Sequence, residues 1–391
     1  MRWTQGIIFM CGLLANTLAL GGPSAEHLIR IGQLDDAFVV AQAEARERPR
    51  DLDAQELLVD LAMTMGLANL VRPRYQEIVS HHPDDADAYY MMGRLALGAH
   101  EAEALYRKAL ELSPGHARSY MGLGAVHRAQ GRMGAAEEAY QHALSRDRSL
   151  GEAWAGLGAA LLAQGRVDDA RANARQAVLA VPHEADPYIA VATLEPESAV
   201  SILRKGVTAM PDEPRLHTFL AMALLEQGLG SSALVEARAA LSLSPGFGSA
   251  ELAQLVARAQ ISGTLDGPGY RDMLIAQRLS GPRQRAAFDQ LVERYPVCEL
   301  IWLGRAQVRA AAGDADGSLD DLSRAAQLAP NQPEVQAALG VALERRGRGS
   351  LALPWLYKAL IARPDDASLA IAAARAEQAT GLAVEARMRI A

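Results

Sequence analysis

The sequence predicts an all-α protein built from one helical hairpin repeated about ten times. Residues 122–132 read GLGAVHRAQGR and residues 156–166 read GLGAALLAQGR, so nearly the same phrase recurs after 34 positions. The chain of 391 residues is 50% hydrophobic but only 5% aromatic, and alanine and leucine dominate it. This composition favours closely packed helices, because alanine is the best helix former whereas strands prefer β-branched and aromatic residues.

The landmarks of this hairpin recur in phase along the chain. One copy carries Tyr120, Leu123, Gly124, Gly131, Ala136, Tyr140 and Ala143. The next carries Trp154, Leu157, Gly158, Gly165, Ala170, Ala174 and Ala177. Prolines that cannot continue a helix follow each second helix, at Pro83, Pro114, Pro182, Pro211, Pro245, Pro330 and Pro364. Glycines between the two helices suit a left-handed cap, at Gly131, Gly165, Gly228, Gly347 and Gly381.

This pattern resembles the tetratricopeptide repeat family, whose 34-residue unit is a helix A, a turn and a helix B. The resemblance covers nearly everything after residue 26. It implies a right-handed α-solenoid, because one hairpin cannot bury its apolar face alone and stacked hairpins bury a continuous one. Helix A is then expected to line a concave groove.

The repeat loses its register in one place. Pro245 and Pro296 are 51 residues apart, which is one and a half units. Three helices are expected there, at 248–261, 269–280 and 283–294. Because an odd number of helices interrupts the alternation, we predict an irregular break near 248–298. The predicted parts are an N-terminal array at 24–261, an irregular helical connector at 262–298 and a C-terminal array at 299–391.

The N-terminus resembles a secretory signal peptide at residues 1–21. Arg2 precedes an apolar run at 6–20, and small residues follow it. Cleavage is expected after Ala19, Gly21 or Ala25, which would place the mature chain in the periplasm or outside the cell. The alternatives are an inner-membrane anchor formed by residues 6–20 and a buried first helix. Nothing after residue 21 is apolar for long enough to span a membrane.

Sequence motifs for chemistry are missing. Gly122 and Gly124 fall inside a predicted helix with no strand before them, which argues against a phosphate-binding loop. His81 and His82 are adjacent and would point apart, and no metal-binding or nucleophile motif accompanies them. We therefore predict no catalytic residue, metal site or cofactor, and no enzyme. An enzyme with an unrecognised site would need a pocket with clustered, strongly shifted ionisable groups.

The formal net charge of −7 argues against nucleic acid as a partner, since phosphate binding needs a basic face. Other proteins are the expected partners. The family resemblance implies that helix-A side chains would bind them, and the candidate groove residues are Tyr90, Arg94, Met121, Arg128, Leu162, Ile189, Met222, Leu225, Leu303 and Val341. The middle of this groove is small or apolar and suits a partner helix or an apolar extended segment. Alternatively, these side chains pack inside a tight superhelix and meet no ligand.

The expected function is a non-catalytic, protein-binding scaffold of the cell envelope. By analogy, it resembles accessory factors of surface-appendage (pilus) assembly or polysaccharide export, although repeat architecture alone does not determine function. One alternative is a structural, self-associating spacer without a peptide ligand. Another is a cytoplasmic or membrane-anchored adaptor of the same repeat family. Specificity is expected where the copies differ, as where Arg128 is replaced by Leu162.

Overall fold

The computed structural model describes residues 23–30, 33–245 and 248–381. Within these ranges the chain forms twenty-two helices and no strand, which confirms the predicted all-α class. None of the helices in the described part is long and apolar enough to cross a membrane. The predicted signal peptide at 1–21 lies outside the described residues, as does the end of the last predicted repeat.

Two compact units make up the chain, Met1–Glu195 and Pro196–Ala391. The first unit contains α1 (Ala25–Arg30), α2 (Leu34–Glu47), α3 (Leu52–Thr64), α4 (Ala68–His81), α5 (Ala86–Arg94), α6 (Ala99–Leu112), α7 (Ala117–Ala129), α8 (Met133–Arg146), α9 (Gly151–Ala163), α10 (Val167–Ala180) and α11 (Ala185–Leu194). The second unit contains α12 (Ala199–Ala209), α13 (Pro214–Glu226), α14 (Gly230–Leu243), α15 (Gly248–Ile261), α16 (Gly267–Arg278), α17 (Gly281–Arg294), α18 (Glu299–Ala311), α19 (Ala315–Leu328), α20 (Pro333–Arg345), α21 (Gly349–Ala362) and α22 (Ala367–Ala379). The boundaries predicted at 261 and 299 remain a prediction.

Helical hairpins are the building blocks of each unit. In the first unit α7 packs against α8, α9 packs against both, and α10 continues the series. Gly131 and Gly165, in the turns after α7 and α9, both have φ of 75°. A side chain is strained at such an angle, so glycine ends helix A without cost and lets the chain reverse. All five predicted turn glycines have positive φ, which confirms their role.

Aspartates define where several of the first helices begin. The backbone N–H of Ala54 donates to Asp51 Oδ1 at 3.3 Å, and that of Ala88 donates to Asp85 Oδ1 at 2.9 Å. Each bond satisfies a donor that the first turn of a helix otherwise leaves unpaired. The sequence therefore starts α3 and α5 at defined residues, which sets the register of their buried faces.

A tyrosine on helix B fills the space between three helices. The ring of Tyr140 on α8 lies between Gly124 on α7 and Gly156 on α9. A Cβ atom added to Gly124 would lie 2.8 Å from the ring, and one added to Gly156 would lie closer still. Helix-interior glycine costs about 1 kcal/mol relative to alanine. Here it allows the ring to pack against the backbone of two helices.

The same packing recurs elsewhere at matching positions. Tyr106 on α6 lies against Gly93 and Gly122, which belong to the helices before and after it. In the second unit Leu356 on α21 lies 2.8 Å from the position that a Cβ on Gly340 would take. A large side chain at this position of helix B, called here the wedge position, therefore closes the gap between helix A, helix B and the next helix A.

Candidate protein-binding site

An apolar pocket of about 280 Å³ lies between α9, α10 and α11 in the first unit. Its walls are formed by alanines and glycines together with a few larger side chains. The lining residues are Gly151, Trp154, Ala155, Gly158, Ala159, Leu162, Ala170, Asn173, Ala174, Ala177, Asp186, Pro187, Ile189, Ala190 and Leu194. We call it the Ala174 pocket.

Ala174 opens this pocket because it occupies the wedge position of α10. It follows Tyr140 by 34 residues, one repeat length. Gly158 and Ala190 flank Ala174 at the positions that correspond to Gly124 and Gly156, the two glycines that flank Tyr140. A Cβ atom on Gly158 would meet only the amide nitrogen of Asn173, at 3.1 Å, and no ring. The pocket is thus the space that a wedge ring fills in the preceding hairpin.

A small wedge residue does not open a pocket everywhere. In the second unit Ala237 on α14 holds the corresponding position between Ala221 and Ala253, and all three are essentially inaccessible to solvent. There the two flanking alanines are covered, whereas Gly158 and Ala190, which flank the buried Ala174, are half-buried. In the first unit α11 has ten residues against thirteen in α9, so the shorter helix covers less of α10.

Among the lining residues described, Asn173 has a buried side-chain atom without a hydrogen-bond partner. Its Nδ2 donates to the backbone carbonyl of Trp154 at 3.0 Å, which orients the amide. Its Oδ1 is buried and has no hydrogen-bond partner. An unpaired buried acceptor costs about 1–3 kcal/mol, so a ligand that donates to this oxygen would recover part of that cost.

A carboxylate lies at the end of the pocket formed by Gly151. The Glu184 carboxylate lies directly against Gly151, in the space that a side chain there would need. Burial raises the pKa of Glu184, and the negative charges of Asp186 and Glu152 act in the same direction. The charged form of Glu184 is therefore disfavoured, and a cationic group placed beside it would stabilise its charge.

Two of the predicted groove residues meet at this pocket. Leu162, the last large side chain of α9, is 44% exposed, and Ile189 on α11 is half-buried. Both line the pocket together with Ala155 and Ala159, which lie on the same face of α9 as Leu162. The middle of the predicted groove is therefore apolar surface beside an open cavity.

The N-terminal end of the predicted groove is occupied by its own ion pairs. The Tyr90 hydroxyl donates to Glu56 Oε1 at 2.5 Å, and Arg94 pairs with Asp60. Arg118 Nε lies 3.1 Å from Glu56 Oε2. Tyr90 is 1% exposed, so its side chain contributes to packing and offers no surface to a ligand. At this end the alternative of a self-packed groove describes the contacts better.

The other predicted groove residues differ in exposure. Met121 and Leu225 are buried, and the Leu225 carbonyl accepts a hydrogen bond from Gln260 Nε2 at 2.7 Å. Arg128 is exposed and interacts with the Tyr140 hydroxyl. The half-buried side chains are Met222, Leu303 and Val341, of which the last two pack against the core of the second unit. Binding of a partner at these positions remains a prediction.

The predicted groove residues do not include Asn173, Ala174 or Ala190, which also line the pocket. The available signal was the alignment of the two copies, in which tyrosine at position 140 is replaced by alanine at position 174. A drop in side-chain volume at a position that contacts three helices predicts either closer packing or a cavity. Which of the two occurs depends on the approach of α11, and no local pattern reports it.

The two matches to the family model described as tetratricopeptide repeat cover residues 98–151 and 285–333. A probable biofilm formation methyltransferase, WspC, of Pseudomonas putida is 35% identical over 99 residues. These residues are 24% of this chain and 23% of the relative, so the chain spans less than a quarter of the length of the curated relative that it matches.

Two solved structures are similar over parts of the chain. YrrB, described as a TPR protein with an unusual peptide-binding site, is 19% identical, with a TM-score of 0.34, and the match covers 46% of this chain and 97% of YrrB. TTC0263 of Thermus thermophilus, a thermophilic TPR protein, is 21% identical with a TM-score of 0.37 over 44% of this chain and 94% of its own. The in-phase hairpins, glycine turns and wedge residues agree with the two matches to the family model, so residues 98–151 and 285–333 are tetratricopeptide repeats.

Proposed function

We propose that this protein is a non-catalytic scaffold that binds a segment of another protein on the face formed by α9 and α11. The observation that carries the proposal is the Ala174 pocket, an open apolar cavity beside Leu162 and Ile189. Repeat proteins of this family interact with other proteins, and an exposed apolar surface beside a cavity suits an apolar or amphipathic segment.

We also propose that the scaffold acts in the cell envelope. The support is the signal-peptide pattern at residues 1–21, with Arg2, an apolar run and small residues. An accessory role in pilus assembly or polysaccharide export would suit an exported repeat protein. Mass spectrometry of the N-terminus of the mature protein tests the location: a new terminus at residue 20, 22 or 26 supports export, whereas an intact Met1 in a soluble cell extract contradicts it.

Site-specific crosslinking tests the binding face. A photo-crosslinking amino acid at Leu162, beside the pocket, is expected to trap a partner of discrete mass in cells. The matched control is Leu179 on α10, which is 76% exposed but does not line the pocket. No adduct at Leu162, or the same adducts at both positions, would contradict the proposal.

A structural spacer is the second candidate function. The ion pairs of Arg94 and Arg118 with acidic side chains fill the N-terminal part of the predicted groove, as expected of a surface that grips no ligand. Crosslinks from Leu162 that lead only to a second copy of this chain would favour the spacer over the scaffold.

A further inference from the structure

We propose that the Ala174 pocket receives a tyrosine side chain of a partner protein, in a segment that has a lysine or arginine next to that tyrosine. This inference deepens the proposed scaffold function and rests on it, because it states what the bound segment must contain. Three features of the pocket support it: its shape, its unpaired acceptor and its charge.

The shape of the pocket matches an aromatic ring. The chain itself places the ring of Tyr140 in the corresponding space one repeat earlier, between Gly124 and Gly156. An apolar cavity of about 150 Å³ already holds a benzene ring, whereas pockets for free small ligands usually start at about 300 Å³. At about 280 Å³, the Ala174 pocket therefore has room for one large side chain.

The unpaired acceptor distinguishes tyrosine from phenylalanine. Asn173 Oδ1 is buried without a partner, while the Asn173 amide nitrogen is already bonded to the Trp154 carbonyl. The pocket therefore lacks a donor and needs no further acceptor. A tyrosine hydroxyl supplies such a donor at the end of an apolar ring, whereas a phenylalanine ring leaves the oxygen unpaired.

The charge around the pocket selects the residue next to the tyrosine. The Glu184 carboxylate lies against Gly151 at one end of the pocket, and Glu152 follows Gly151 in the chain. When the tyrosine ring of a bound segment fills the pocket, the backbone of that segment lies near this acidic end. A neighbouring lysine or arginine is therefore attracted, and a neighbouring acidic residue is repelled.

Side-chain analogues test the occupant with the full chain. We expect p-cresol, the analogue of tyrosine, to bind about threefold or more tightly than toluene, the analogue of phenylalanine, in titrations followed by ligand-observed NMR. The dipeptide acetyl-Lys-Tyr-amide should bind about two- to fivefold more tightly than acetyl-Glu-Tyr-amide, with Glu184→Gln narrowing the difference. Equal affinity for p-cresol and toluene, or tighter binding of 3-methylindole than of p-cresol, would overturn the assignment of tyrosine.

Filling the pocket tests its location. Ala174→Leu introduces the side chain that Leu356 provides at the wedge position of α21, and should weaken p-cresol binding by about tenfold or more. Ala172→Leu makes the same substitution two residues away, at an exposed position of α10, and should leave the affinity unchanged. Equal affinities of the two variants would overturn the proposal.

A further variant keeps the proposal testable if circular dichroism shows that Ala174→Leu does not fold. Asn173→Ala should abolish the preference for p-cresol over toluene, and a retained preference would overturn the proposal. The oligomeric state supplies another outcome: a dimer that Ala174→Leu dissociates would assign the pocket to a second copy instead of a partner.

The two proposals fail in different experiments. If p-cresol binds as expected but Leu162 crosslinks no protein, the scaffold function is wrong while the chemistry of the pocket stands. If Leu162 crosslinks a partner but p-cresol does not bind, the scaffold function stands and the tyrosine site is wrong.

Discussion

In the first unit, the effect of a buried histidine on stability depends on its charge state. His127 on α7 is 8% exposed, and its Nδ1 has no hydrogen-bond partner. Burial lowers the pKa of His127, and the positive charges of Arg132 and Arg107 act in the same direction, while Glu103 opposes them. The folded protein therefore favours the neutral imidazole, whereas the unfolded chain takes up a proton near the ordinary pKa of about 6.5.

This difference predicts how stability changes with pH. The contribution of the neutral His127 to the free energy of unfolding is fully present above about pH 6.5. It is lost as the pH falls from there towards the lowered pKa of the folded state, because only the unfolded chain binds the proton in that window. The quantity to compare is the urea midpoint of His127→Leu minus that of the wild type. This difference should be larger at pH 5.5 than at pH 8. His142→Leu, at an exposed position of α8, is the control. A difference between wild type and His127→Leu that does not change with pH would show that the buried imidazole has no such role.

Packing between helices depends on the pairing of small and large residues at the wedge position. Tyr140 requires glycine on both neighbouring helices, whereas Ala174 leaves the space between α9, α10 and α11 open. The two helices of each hairpin have the same lengths, but the helix after Ala174 has only ten residues, so the pocket depends on both the small side chain and the short α11. A binding site can therefore arise within a repeat array where a small wedge residue is followed by a shortened helix A.

The wedge can be tested at Gly124. Gly124→Ala would place a methyl group 2.8 Å from the Tyr140 ring, and overpacking of this kind costs about 1–3 kcal/mol in the free energy of unfolding. Gly134→Ala on α8 meets no atom within 4 Å and should instead be neutral or stabilise the helix by up to about 1 kcal/mol. Urea unfolding followed by circular dichroism measures both. Equal effects of the two substitutions would show that the ring does not require glycine.

Within each unit, most of the described helices pack mainly against their neighbours in the sequence. The stability of such an array is approximately a sum of local terms, so damage to one hairpin should spread little. The first and second units have separate cores: Leu58 and Tyr75 lie in one, and Leu339 and Leu356 in another.

A substitution in the second unit tests this locality. Leu356→Ala removes a fully buried side chain and should cost about 2–5 kcal/mol. Hydrogen exchange followed by mass spectrometry should show faster exchange in α20, α21 and α22, with unchanged rates in α3 to α6. Leu351→Ala, at a position 57% exposed on the same helix, should change neither region. Faster exchange throughout both units after Leu356→Ala would indicate that the chain unfolds as one cooperative block.

Much of the fold could be predicted from local patterns. The turn glycines after α7 and α9 and the prolines after the second helices recur in phase, because the backbone conformation that they permit is a property of the residue itself. The bounds of α15 were likewise predicted at 248–261, whereas α16 and α17 each begin two residues earlier than expected. In both of these helices glycine and proline form the first turn, where proline's missing N–H costs nothing.

The site could be predicted only in part. The repeat pattern alone predicts the class of fold, the phase of the hairpins and a groove face that includes Leu162 and Ile189, and binding at that face stays a prediction. The burial of Tyr90 and Leu225 and the cavity beside Ala174 become evident only from the packing of the helices. The physical reason is that exposure depends on how closely neighbouring helices approach, and this approach is determined by side chains dozens of residues apart.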